Sequence, residues 1–197
     1  MLKWIASGCL VIIVVVGIVM YAGYRKMKSI AAAGPSVSVA IHATPERVFA
    51  SMSHTDSLSS WLAQTATITT TRKGTLAAGD TLFLTTRRDS VPRSAWVIDT
   101  VVPNVLVTMR WVMLQNRMVI TRRRDSLSAA GDSTIVTSTL ASFMSDSLSA
   151  ARGRAGGVTG GMLEMGSNLS VAGARLQAEV ELNRLRDHIQ GRPVSRP

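Results

Sequence analysis

Cysteine is nearly absent: Cys9 is the only one in 197 residues. No intramolecular disulfide can brace the fold, so the core must hold by itself. Histidine is scarce as well. His42, His54 and His188 stand far apart with no His-x-x-x-His or Glu-x-x-His spacing, so no metal and no cofactor is expected. Acidic residues are missing from the first 45 positions, and beyond residue 28 Lys73 is the one lysine among 17 arginines. All 12 acids fall in that later stretch, which leaves it with a balance of +6 inside a chain of +10. An Arg-rich, Ala- and Gly-rich composition fits coding habit as well as it fits an anionic partner. No aromatic stacking platform accompanies the arginines, so nucleic acid is not an expected partner.

Charge is also missing from Trp4 to Tyr24, and Leu10 to Val16 is an unbroken run of Leu, Val and Ile. A helix over that span would be about 31 Å long, enough to cross a bilayer. Trp4, Tyr21 and Tyr24 mark its ends, where amphipathic rings sit, and Arg25, Lys26 and Lys28 form a basic flank. Residues 1–28 are therefore expected to be an N-terminal transmembrane anchor. A cleaved signal peptide ending at Ala31-Ala32-Ala33 is opposed by the length of the apolar run and by the intervening cations. A lipoprotein signal is opposed by order, since the apolar stretch follows Cys9 instead of preceding it. The excess of cations after the helix puts the following domain on the cytoplasmic side.

Residues 29–36 read as a linker ending at Gly34-Pro35, and 37–190 as one α+β domain with a tail at 191–197. Val37, Val39 and Ile41 alternate with small or polar residues, as in a strand with one buried face. Thr44-Pro45-Glu46 opens a helix with a cap, a proline at the first helical position and an early acid. Asp56 is placed to cap a second short helix carrying Leu58, Trp61 and Leu62 inward, with Trp61 locking these helices onto a sheet. Six further strands are expected at 65–72, 81–88, 94–102, 105–113, 117–124 and 134–143, with short connections that suit an antiparallel meander. Residues 145–161 look irregular. From Met162 to Gln190 one long helix is expected. Leu169, Ala172, Leu176 and Val180 form its apolar stripe, which Leu182, Leu185 and Ile189 broaden. Gly191 and Pro193 stop it.

The run Val39-Ala40-Ile41-His42-Ala43-Thr44-Pro45-Glu46-Arg47-Val48-Phe49, followed by Asp56 and Trp61, resembles the START-like, helix-grip superfamily of polyketide cyclase/dehydrase and lipid-transport domains. Val101-Val102-Pro103-Asn104-Val105-Leu106 is similar to that family's proline-containing hairpin. The resemblance spans Val37 to Ile189. It implies a seven-stranded antiparallel sheet curled round the long C-terminal helix, with an apolar cavity for a hydrophobic small molecule or lipid. The superfamily has no common catalytic residue.

On that frame Trp96, Met109, Trp111, Met113, Met118, Met162 and Met165 are the candidate ligand-binding residues, because large adaptable side chains suit an apolar pocket. Each can equally be ordinary core. Asp99, mid-strand among Val97, Ile98 and Val101, is a weak candidate acid or base, and an exposed position would remove it. Glu164 suits a helix N-terminus. The glycine-rich run 153–161 lacks the Gly-Lys-Ser/Thr end of a phosphate loop and reads as an entrance loop. The clusters Arg87-Arg88-Arg93 and Arg117-Arg122-Arg123-Arg124 read as strand-end charges, solvated or facing anionic headgroups. Three function classes follow: a membrane-anchored binder or carrier, a cyclase- or hydrolase-type enzyme with a pocket acid, and a chaperone-assisting interaction module. The binder leads, and catalysis has no clear constellation behind it.

Overall fold

In the computed structural model the described residues are 2–62, 66–86, 91–142 and 157–192, with the backbone alone for 2–13, 66, 86, 142 and 157–164. The order of elements is α1 (Leu2–Ala32), β1 (Ser36–Ile41), α2 (Pro45–Ser53), α3 (Thr55–Trp61), β2 (Ala66–Thr70) and β3 (Thr81–Thr86). Then come β4 (Ser94–Val102), β5 (Leu106–Met113), β6 (Val119–Ala130), β7 (Ser133–Ser142) and α4 (Gly157–Ile189). All seven strands form one antiparallel sheet in the order β1-β7-β6-β5-β4-β3-β2. Six of them follow as a meander, and β1 closes beside the last, so β1 and β2 are the edges.

Local chemistry sets the corners. Thr44 caps α2, its hydroxyl accepting from the Arg47 amide at 3.5 Å, and Pro45 fills the first helical turn. Gly131 and Asp132 join β6 to β7 in a two-residue turn, with Ala130 opposite Ser133 and Gly131 at φ 63°. A glycine at the first turn position meets that left-handed geometry without strain. Asn104 does the same at φ 61° in the β4–β5 turn.

The sheet's inner face and the helices enclose the core. Val37 and Ile41 of β1, Val136 of β7, Ile98 and Val107 of the centre, and Leu182, Leu185 and Ile189 of α4 are all buried. Each such side chain contributes roughly 1.5–3 kcal/mol by leaving water. Arg175 of α4 reaches back to the start of the domain and donates from Nη1 to the carbonyls of Ala33, Gly34 and Ser36. The far end of α1 is thereby tied to α4.

Several elements differ from expectation. α1 runs on to Ala32, through the basic flank and the first half of the expected linker. The helix cap before α3 is the backbone of His54, and Asp56 sits within the first turn, 3.7 Å from His54 Nδ1. β6 continues six residues past Arg124, and α4 begins at Gly157 where irregular chain was expected. The stripe expected along α4 faces largely outward: Leu169, Leu176 and Val180 are exposed, while Ala172 is buried. Among the described residues no helix is long and apolar enough to cross a membrane. The described side chains of α1 begin at Val14, and a stretch of spanning length from there already takes in Arg25, Lys26 and Lys28. The expectations for Arg87 and Arg88, and for the glycine run up to residue 156, lie outside the described residues, as do those for the side chains of Cys9, Met162 and Glu164.

Candidate functional site

A cavity of about 160 Å³ lies between the sheet centre and residues 170–181 of α4. Its apolar wall comes from Trp96 of β4, Trp111 of β5, Ile120 of β6 and Leu140 of β7. Cross-strand register puts Trp96 directly opposite Trp111, and their rings stack with centroids 6.1 Å apart and planes 27° from parallel. Aromatic pairs at this separation add to the gain from burial alone. From the helix come Ser170, Ala174, Gln177 and Glu181. Their spacing of four, three and four puts them on one face, and the small side chains at 170 and 174 leave the space open.

The cavity's polar end is a buried ion cluster. Arg123 and Asp125 of β6 are two residues apart and so share the inner face; they are 2% and 0% exposed. Arg123 donates from Nε to both Asp125 oxygens at 2.9 Å, and from Nη1 to Glu181 Oε2 of α4. Gln177 donates to the other Glu181 oxygen at 3.0 Å. The guanidinium lies over the Trp61 ring at 5.6 Å, so Trp61 both packs α3 onto the core and receives the cation. Burial pushes the Glu181 carboxyl above its ordinary range, an effect that Arg123 only partly offsets. For Arg123 burial works against the charge, yet Asp125 and Glu181 together hold the guanidinium more firmly protonated than usual. Removing charges from water costs several kcal/mol per ion. A cluster of this kind inside a small domain is therefore an expense that packing alone does not demand.

The sequence-derived candidates divide cleanly. Trp96 and Trp111 line the cavity. Met109 is buried in the core beside it, and Met113 is half-buried near the sheet end. Met118 and Met165 are exposed, at 45% and 43%. Asp99 is exposed and paired with Arg110 at 3.1 Å, and it is not among the residues that line the cavity. Arg123 does not belong with the outer cations: it points inward while Arg122 and Arg124 point out. Sequence reading missed Arg123, Asp125 and Glu181 as a unit. The signal was present in the alternation Thr121, Arg123, Asp125, Leu127, a single strand face carrying an Arg-x-Asp pair. Among the described residues no three His, Cys, Asp or Glu side chains are grouped as metal ligands.

No family model matches the chain, and no curated protein matches it in sequence. Solved structures do match in shape. DynU16, from the dynemicin biosynthetic locus, superposes over 81% of this chain with TM-score 0.52 and 16% identity. The chain spans 48% of DynU16, about half its length. Protein SSP2350 from Staphylococcus saprophyticus matches over 82% of this chain and 95% of its own, with TM-score 0.53 and 13% identity. KanY matches over 80% and 97%, with TM-score 0.50 and 20% identity. The fold that these structures share with the chain is the helix grip. Within that helix grip, a sheet curled against one long helix leaves the cavity at the seam between them.

Proposed function

We propose that this helix-grip protein binds or carries a hydrophobic small molecule in the cavity between β4–β7 and α4, at a membrane to which α1 anchors it. The observation that carries the reading is the Trp96–Trp111 wall facing small side chains on α4, an apolar recess where a core would otherwise close. Its volume suits a ring-sized group more than a whole lipid, since an engineered apolar cavity of about 150 Å³ in another protein accepts benzene. The anchor rests on the charge-free run from Trp4 to Tyr24 and on the open setting of α1. There Val14, Val15, Val16, Ile18, Val19 and Met20 are 50–70% exposed, the disposition expected of side chains that face lipid.

Native mass spectrometry of the full chain released from lipid nanodiscs tests the binding. A reproducible small-molecule adduct is expected, and a bare protein mass across preparations would contradict it. Extraction of membranes at alkaline pH tests the anchor: the chain should stay with the lipid pellet, and release into the supernatant would remove it. The cyclase- or hydrolase-type reading gains one observation, the buried Glu181 carboxyl at the cavity wall, in place of exposed Asp99. Both Glu181 oxygens already accept hydrogen bonds, from Arg123 and Gln177, which favours a structural anion over a proton donor.

A further inference from the structure

The cavity offers donors that no described residue meets. Trp111 Nε1 and Arg123 Nη2 are buried and have no partner among the described residues. Both residues line the cavity. On the β5–β6 ladder Trp111 faces Thr121 while Met109 faces Arg123, which makes Trp111 and Arg123 diagonal neighbours on the inner face. Long side chains reach each other across such a diagonal. The nearby carboxylates are committed: Asp125 takes the Arg123 Nε with both oxygens, and Glu181 takes Nη1 and Gln177. Buried N–H groups without acceptors are costly, and native proteins rarely keep two in one place without a use for them.

Charge decides which acceptor fits. Among the described residues Arg123 is the only cation lining the cavity, and it already faces two carboxylates. With Glu181 ionised the cluster carries one net negative charge, and with Glu181 protonated it carries none. A ligand carboxylate would add buried negative charge with no lining cation left to balance it. A carbonyl oxygen has two lone pairs and no charge, so it can take both N–H groups.

We propose that the cavity selects an uncharged, ring-sized carbonyl compound, its ring against Trp96, Ile120 and Leu140 and its oxygen accepting from Trp111 Nε1 and Arg123 Nη2. This rests on the reading of the cavity as a ligand site.

Three probes of one shape separate the possibilities: acetophenone, the hydrocarbon α-methylstyrene, and benzoate. Binding to the full chain in nanodiscs is followed by the indole N–H resonances of the four tryptophans. Affinities are referred to the free aqueous concentration of each probe, which removes partitioning into lipid. Acetophenone should bind about tenfold tighter than α-methylstyrene, and benzoate should bind weakest. The Trp111 N–H resonance should move downfield with the ketone alone. Trp111→Phe keeps the wall and removes one donor, so the ketone-to-hydrocarbon ratio should fall at least about threefold while α-methylstyrene still binds. Equal binding of ketone and hydrocarbon, or tightest binding of benzoate, would overturn the inference and leave a ligand site in place. If none of the three moves an indole resonance, both the inference and the ligand-site reading fall. The wild-type series alone separates these outcomes, even if the variant does not fold.

Discussion

Two faces of α4 meet the rest of the domain in opposite ways. On one, Ala178, Leu182, Leu185 and Ile189, spaced four, three and four, are buried in the core. On the other, Ser170, Ala174, Gln177 and Glu181 repeat the same spacing with small and polar side chains, and there the seam opens into the cavity. One helix thus carries a closed seam and an open one. Folding needs the closed seam; the open one holds a buried Arg123 cluster and a tryptophan wall that stability alone does not call for. On the proposed reading, the ligand sits where the apolar pattern lapses.

The largest effect should come from breaking the cluster. Arg123→Ala leaves Asp125 and Glu181 buried without their cation and should cost about 3–5 kcal/mol in urea unfolding. A loss below about 1 kcal/mol would mean that water already reaches the cluster. Leu182→Ala in the closed seam should cost about 2–5 kcal/mol through the cavity it creates. Replacing the whole cluster by apolar residues (Arg123→Met, Asp125→Leu and Glu181→Leu together) should be neutral or stabilising by about 1–4 kcal/mol while ligand binding is lost. Strong destabilisation by that triple change would make the cluster a folding requirement instead.

A smaller, pH-dependent effect belongs to Glu181. Its folded carboxyl titrates above its ordinary 4.5 because it is buried. The folded chain therefore holds a proton that the unfolded chain releases. The resulting stabilisation is complete below about pH 4.5 and drains away as pH rises through the higher folded value. Glu181→Gln should flatten that decline in unfolding experiments at stepped pH, and an unchanged decline would assign it to another group. Smallest of all, Asp99→Asn removes only a partly exposed pair with Arg110 and should shift stability by less than about 0.5 kcal/mol, with ligand binding unaffected.

The closed seam was readable in the sequence and the open one was not. Alternation in Val37, Val39 and Ile41 and the Thr44-Pro45 helix start each follow from local chemistry, and the structure keeps them. Arg117-Arg122-Arg123-Arg124 reads as a cluster of solvated strand-end charges because charge clusters usually are. Strand geometry turns every second residue inward, and Glu181 on a distant helix supplies the partner that makes burial tolerable. No local rule brings residues 58 positions apart together. The α4 stripe failed for a related reason. The helix has apolar residues on more than one face, and the face holding Glu181 took the inside, leaving Leu169 and Leu176 outside.

Filling the open seam tests the central claim most directly. Ala174→Leu in the full chain adds bulk where the helix faces the tryptophan wall, and native mass spectrometry then compares its adduct with that of the wild type. The expected result is loss of the adduct with the melting temperature within a few degrees of wild type. A variant that keeps the adduct at full occupancy would contradict the claim and place the ligand elsewhere on the protein.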